Sequence, residues 1–537
     1  MTKDDVAQPT GSWHAVASLE QLRRNGRMVV KLPGKQLALF SHGDAVHACN
    51  NRCPHEGYPL AEGALGPDCV LTCHWHNWQF DLRDGSNLHG GDGLTIYPVA
   101  QRDGQVWVDL SEPAPALRQQ QHLAALEQAM ADDDLPRIAR EAARLQAAGG
   151  TADDALRQAI LQSHERLRYG MTHAWAAADG WLRLRDELEP PAQRLACLAE
   201  ALSYIARDTL REPPWPLPAP QSVVWNAQLF LNRVEAQDEA GAGAQLLAGL
   251  EQAPPQQFDA CLTEAALAHY NDFGHSLIYL VHVRSLVQRV GPSVAPALWQ
   301  GWLRALRFAT REDLLPDFRA YAPALAQWPA AFGRSTAVPD PQAWFGLAPR
   351  AALALSAQHA AQCVPLALHQ ALLCVGAMHL MHFDAAWQDR SDGPVGDNIG
   401  WLDFSHALTF AHAARVQCVK HPQLWPAALA QMTLFAARNA KYLRAQDQAG
   451  PTGMHDAATF DAQCIVRLLD HGTAPHIYPA HLLKTWLAVR DEIRLGVAPA
   501  TTAWLRAAVV QLFAACLKQR HILRNAQQAL DIVQRGG

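Results

Sequence analysis

A chain of 537 residues is longer than one hydrophobic core usually serves, so two or more domains are expected. With 49% hydrophobic and 18% charged residues, the composition is that of a globular protein, and a formal net charge of -6 argues against nucleic-acid binding, which needs a basic face. The opening MTKDDVAQPTGSWHAV lacks a basic-then-apolar leader, no apolar run is long enough to span a bilayer, and 11 Cys in such a chain do not suggest a disulfide scaffold, so a cytoplasmic protein without membrane contact is expected.

From about Ser12 to Leu110 the chain reads as strands and turns. Runs such as RMVVKL, QLALFSH, AVHACN and QVWVDL alternate with the turn signals LPGK, SHGD, HGGDG and QRDG. SEPAPAL, punctuated by proline, reads as a linker. Beyond it, segments such as HLAALEQAMADDDLPRIAREAARLQAA carry the helical period to the end of the chain. The expected fold is an α+β multidomain chain: a small all-β domain over 1–112, a linker over 113–120 and a large all-α domain over 121–537.

The β region holds one chemical signature. In CPHEGYPLAEG…LTCHWHNWQFDLRDG, a Cys-x-His pair, Cys53 and His55, precedes a Cys-x-x-His pair, Cys73 and His76. Two thiolates on one iron and two imidazoles on the other form a [2Fe–2S] cluster with a higher potential than an all-Cys cluster. A zinc site from the same four residues is the competing reading. With Pro54, Gly57, Leu60, Gly63, Phe80 and Gly85 around the ligands, the stretch 12–110 resembles the Rieske family. Tyr58 and Trp75 stand where the respiratory branch places a disulfide, so the resemblance is to the ferredoxin and oxygenase branch; Asn77 departs from the family's usual glycine. The resemblance implies an electron-transfer centre, and in the oxygenase branch an oligomer.

The helical region spaces histidines among apolar residues: His173 in GMTHAWAAADGWL, His275 in GHSLIYLVH, His406 in DFSHALTFAHA, and His481 with Lys484 in HLLKTW. Each could be a hydrogen-bonded core residue; together, in a chain that delivers electrons, they suggest a second metal. Beyond residue 110 lysine occurs only at 420, 441, 484 and 518. His481 and Lys484, three apart, share a helix face, and a buried lysine is pushed toward its neutral amine, which can add carbon dioxide to become a carbamate ligand. Asp403-x-x-His406 with His412 loosely echoes a two-His, one-carboxylate iron site, and His379 with His382, or His275 with His282, are alternatives; His269, His412, His471 and His476 are second-rank candidates. The segment from Gly274 also matches that from Ser405, with His275 over His406 and Arg284 over Arg415, which suggests two related helix pairs.

These four segments resemble the questin oxidase-like family of all-helical oxygenases over about 150–510. The resemblance implies a non-haem iron held by His173, His275, His406 and His481, with carboxylated Lys484 as fifth ligand, acting on anthraquinone-type rings. Thr172 stands where that family usually has Asn before the first His. Neither G-x-G-x-x-G nor a phosphate-binding loop is present, so a separate reductase or ferredoxin is the expected electron donor. The expected function is a Rieske-fused non-haem iron oxygenase that uses O₂ on a small hydrophobic aromatic or quinone-like substrate. The alternatives are an electron carrier or redox sensor with a helical docking domain, or a helical domain that binds haem.

Overall fold

The computed structural model describes residues 12–515 apart from 90, 220, 270–272, 310–317, 391–398, 445–450 and 452–456, together with 526, 529 and 530. Ten short strands build the N-terminal domain: β1 (Trp13–Ser18), β2 (Arg27–Leu32), β3 (Lys35–His42), β4 (Ala45–Asn50), β5 (Ala64–Leu65), β6 (Val70–Thr72), β7 (Gln79–Asp81), β8 (Ile96–Tyr97), β9 (Val99–Arg102) and β10 (Gln105–Asp109). They form three antiparallel sheets, ordered β1-β10-β9, β2-β3-β4-β8 and β5-β6-β7. The β9–β10 hairpin turns on Asp103 and Gly104, both at positive φ (48° and 74°), as a two-residue turn matched to strand twist requires.

Alternation along β3 divides the interior. Leu37 and Leu39 join Leu22, Ala48, Val106 and Val108 in one core, while Ala38 and Phe40 join Leu60, Leu71, Phe80, Cys53 and Cys73 in another. Successive side chains point to opposite faces of a strand, so β3 is buried on both. The second core is the floor on which the cluster loops rest.

The stretch 113–120, expected as a linker, is helical from Pro115 onward. Helices Pro115–Ala131 and Leu135–Ala147 follow β10, and the first compact unit of the chain extends through them to Thr151. A buried ion cluster anchors the second helix. The Asp92 carboxylate, 3% exposed, accepts from Arg140 and Arg144 and lies 3.6 Å from Arg137, all on one helix face.

The second unit takes residues 130–133 and everything after Ala152. Among the described residues it contains helices and no strand, only the isolated bridges Ser335–Cys363 and Phe383–Leu443. The repeated sequence has a repeated form: helix His275–Val290, 3₁₀ turn Pro292–Val294 and helix Ala295–Arg307 correspond to Trp401–Cys418, Pro422–Leu424 and Trp425–Asn439. No helix among the described residues is long and apolar enough to cross a membrane.

Candidate metal centres

The two cluster loops are built on one backbone pattern. The Cys53 amide donates to the Tyr58 carbonyl and the Cys73 amide to that of Trp78, each at 2.8 Å. Gly57 N–H returns to the Cys53 carbonyl and Asn77 N–H to that of Cys73. The returning residue is left-handed in both, φ 78° at Gly57 and 60° at Asn77. Asn is among the residues that tolerate this conformation, so the departure at Asn77 keeps the turn intact.

This pattern sinks both thiols and raises both imidazoles. Cys53 and Cys73 are buried, whereas His55 and His76 sit nearer solvent with their Nδ1 atoms 3.0 Å apart. Trp78 stacks flat on His55, ring centroids 4.5 Å apart. Burial pushes the Cys53 thiol up to about 11, against the His55 and Glu56 amides that donate to its sulfur; the neighbouring Cys73 raises it further. Amides aimed at sulfur need a thiolate to stabilise, and two thiolates side by side need a cation. Two inward sulfurs and two adjacent nitrogens fit a [2Fe–2S] rhomb. No disulfide occurs among the described residues, and Tyr58 and Trp75 face each other at 5.3 Å where a bridge would stand in the respiratory branch.

In the helical unit the structure brings His173, His406 and His481 within mutual reach, from three helices, and sets His275, from a fourth, against His406. His173 and His275 begin theirs, whereas His406 and His481 lie just past the first turn of Trp401–Cys418 and Ile477–Arg494. The Nε2 atoms meet: His275 to His406 at 2.9 Å, His173 to His481 at 3.1 Å, and His481 to His406 at 3.2 Å. At the other edge of the rings, His406 Nδ1 donates to the Leu402 carbonyl (2.7 Å) and His481 Nδ1 to that of Ile477 (2.6 Å). A carbonyl can only accept, so both rings carry their proton on Nδ1. Burial first, then neighbouring charge including that of Lys484, holds His173, His406 and His481 well below the usual imidazole range. The rings of His406 and His481 are therefore neutral, and their Nε2 lone pairs point at each other. Such a contact is repulsive unless a cation lies between, which is the donor chemistry of a metal site. His173, His406 and His481 have donors mutually close enough to share one ion.

Lys484 follows His481 by three residues on the same helix and is buried, which pushes its amine down to about 7. It lines a cavity of about 420 Å³ whose largely apolar wall also carries Asp179, Arg183, His282, His412 and Asp491. The imidazole cluster opens instead on a mostly apolar cavity of about 290 Å³, walled by Phe273, Trp401, Leu402, Ile477, Tyr478 and Leu512. The histidines and the lysine line different cavities, yet the lysine stands near enough for its charge to act on His173, His406 and His481.

The competing histidines lie elsewhere. His282 pairs with Asp179, His412 with Glu492, His269 with Glu235, and His471 and His476 with Glu200. His379 and His382 pack against Phe345. Asp403 does not complete a carboxylate motif with His406; its carboxylate accepts from the Gly400 amide and caps the helix. Two contacts were not anticipated. Tyr279 OH lies 2.6 Å from His173 Nδ1, and Phe273 stacks on His406 with centroids 5.1 Å apart. Tyr279 is one turn beyond His275, so helical spacing alone could have nominated it.

Paired loops that bury two thiols and present two imidazoles define an iron–sulfur electron-transfer domain of Rieske type. Residues 12–92 match the family model described as Rieske [2Fe-2S] domain. The chain is 37% identical over 81 residues to the 3-phenylpropionate/cinnamic acid dioxygenase ferredoxin subunit of Escherichia coli (strain K12), spanning 76% of that protein and 15% of this one. It is 31% identical over 109 residues to the nitrite reductase [NAD(P)H] large subunit of Klebsiella oxytoca, spanning 11% of that protein. Among solved structures, it is similar to the ferredoxin of carbazole 1,9a-dioxygenase from Nocardioides aromaticivorans IC177, at 24% identity and TM-score 0.18, over 19% of this chain and 99% of that one. Through its N-terminal domain the chain belongs to the Rieske [2Fe–2S] family.

Proposed function

We propose that this protein is a Rieske-fused non-haem iron oxygenase whose helical domain carries the catalytic metal. His173, His275, His406 and His481 would hold a mononuclear iron, and Lys484, as a carbamate, would supply the negative charge that four neutral imidazoles lack. Bound there, iron supplies activation of O₂ with electrons that the Rieske domain receives from a separate reductase or ferredoxin. The observation that carries this reading is the facing of the His406 and His481 lone pairs, each locked by a backbone carbonyl.

The chain's own residues prepare the rest. Tyr279 holds His173 by its Nδ1 edge, and Phe273 fixes the plane of His406. The adjoining cavity excludes water with Trp401, Leu402 and Leu512 and would seat a small hydrophobic aromatic or quinone-like molecule. The likeness to the Escherichia coli 3-phenylpropionate/cinnamic acid dioxygenase ferredoxin subunit supports electron delivery to the oxidation of an aromatic compound. So does the likeness of the four histidine segments to the questin oxidase-like family. A cytoplasmic oligomer is part of the same proposal.

That relative is a ferredoxin spanned over most of its length, which favours a second reading: an electron carrier with a helical docking domain. Metal and acid-labile sulfide analysis of anaerobically purified protein, with EPR, separates the two. More iron than the cluster's own pair, with a mononuclear ferric signal beside the Rieske signal, is the expected result. Iron equal to sulfide in fully loaded protein, with no other metal, would overturn the oxygenase reading in favour of the carrier.

A further inference from the structure

The N-terminal domain holds a second group of metal-binding side chains that the cluster loops do not use. His42 ends β3, His47 lies across the hairpin in β4, and Cys69 closes the turn before β6. One donor atom of each lies within 4.8 Å of the others, and His47 Nε2 is 3.4 Å from Cys69 Sγ. Tetrahedral zinc, with Zn–S of about 2.3 Å and Zn–N of about 2.0–2.1 Å, sets a sulfur and a nitrogen about 3.5 Å apart.

The surroundings prepare these donors. His42 Nε2 donates to the Pro67 carbonyl at 2.9 Å, and His47 hydrogen-bonds the Leu82 backbone. A carbonyl partner fixes the tautomer and leaves the opposite ring nitrogen as a lone pair, as metal-bound histidines are held. Cys69 is 3% exposed and sits at φ 65°, a conformation unfavourable for a residue with a side chain. The turn is pinned from both sides: Cys69 N–H donates to Gly66, and Leu82 N–H donates to the Cys69 carbonyl.

We propose that His42, His47 and Cys69 bind one zinc ion, which ties the β3–β4 hairpin to the turn before β6. The Cys69 thiol proton leaves to solvent as the zinc–sulfur bond forms, and water completes the tetrahedron. Zinc suits this mixed thiolate and imidazole set. The site is independent of the helical centre, which offers nitrogen donors and no sulfur.

The test uses the full chain with its [2Fe–2S] cluster fully loaded, freed of loose metal on a chelating resin. Zn²⁺ is titrated against a chromophoric chelator, and the bound ion is read by zinc K-edge absorption. The expected result is one sulfur-bound zinc per chain, with a sulfur neighbour at about 2.3 Å, beside any zinc that the nitrogen donors of the helical unit take up. That shell should vanish in Cys69→Ala, and His42→Asn, at a less buried position, should weaken binding at least tenfold with the Rieske EPR signal unchanged. Zinc with nitrogen and oxygen neighbours only, equal binding by wild type and both variants, or no binding by wild type would each overturn the proposal.

Discussion

The cluster loops of the Rieske domain and the histidine cluster of the helical unit are assembled in opposite ways. In the Rieske domain every ligand lies within the single stretch Cys53–His76, on two loops that repeat one hydrogen-bond pattern. In the helical unit each histidine comes from a different helix, and the partners His173 and His481 are 308 residues apart. A loop that must turn on itself to aim a thiol and an imidazole constrains its neighbours, so the site writes a motif. A helix that supplies one ligand is constrained only in which face it buries. What marks the helical cluster is convergence: buried rings of which two, His406 and His481, already donate their outer nitrogens to carbonyls.

The sharpest way to break this comparison is to delete a ligand from each centre. His406→Ala should remove the second iron while the Rieske EPR signal persists, since that ring touches both His275 and His481. Unchanged total iron in the variant would take His406 out of the ligand set. Conversely, Cys73→Ser should abolish the Rieske signal and leave the helical metal in place. If both metals disappear, the two centres do not load independently, and the contrast between them fails at the level of assembly.

How far each centre was legible follows from the same contrast. The β domain was readable because turn residues are local, as at Asp103–Gly104. Asn77 looked like a flaw until its φ of 60° showed a residue doing a glycine's job. The proline-rich SEPAPAL misled, because proline also suits the first turn of a helix and Pro115 opens one. Asp403-x-x-His406 has a local explanation of a related kind: an acidic side chain three residues after a helix N-cap accepts from the cap's own amide, as Asp403 does from Gly400. The four histidines could be nominated by apolar setting, but their meeting depends on helix packing that no local pattern encodes. His42, His47 and Cys69 formed no motif, since they meet only when the β3–β4 hairpin folds against the turn before β6.

A smaller effect sharpens the comparison on the side of packing. Asp92 is the carboxylate at the centre of Arg137, Arg140 and Arg144, buried where helix Leu135–Ala147 joins the first unit. Removing one partner of a buried ion cluster leaves uncompensated charge, so Asp92→Asn should destabilise this unit by about 3 kcal/mol. Thermal bleaching of the Rieske absorption in the full chain reads this directly. An unchanged midpoint would mean that the helix is held by apolar packing alone.

The smallest expected effect is a slope, and it tests the burial on which the helical centre depends. In metal-free protein without bicarbonate, the Lys484 amine is held at about 7 by burial, whereas in the unfolded chain it returns to its ordinary value of 10.5. Between those values the unfolded state carries a proton that the folded state lacks. Unfolding free energy therefore rises with pH across this window, by up to about 1.4 kcal/mol per pH unit from this one group. Below pH 7 both states are protonated and the term is flat, with the cost of the buried ammonium fully present. Lys484→Met should remove the slope between pH 7.5 and 9, measured by urea unfolding, and should raise stability most at the acid end. Equal slopes in variant and parent would mean that the amine reaches water when folded, and a solvated ammonium has no tendency to become a carbamate. Loss of the slope would leave a dry, neutral amine one helical turn from His481, the condition that a carbamate ligand at this centre requires.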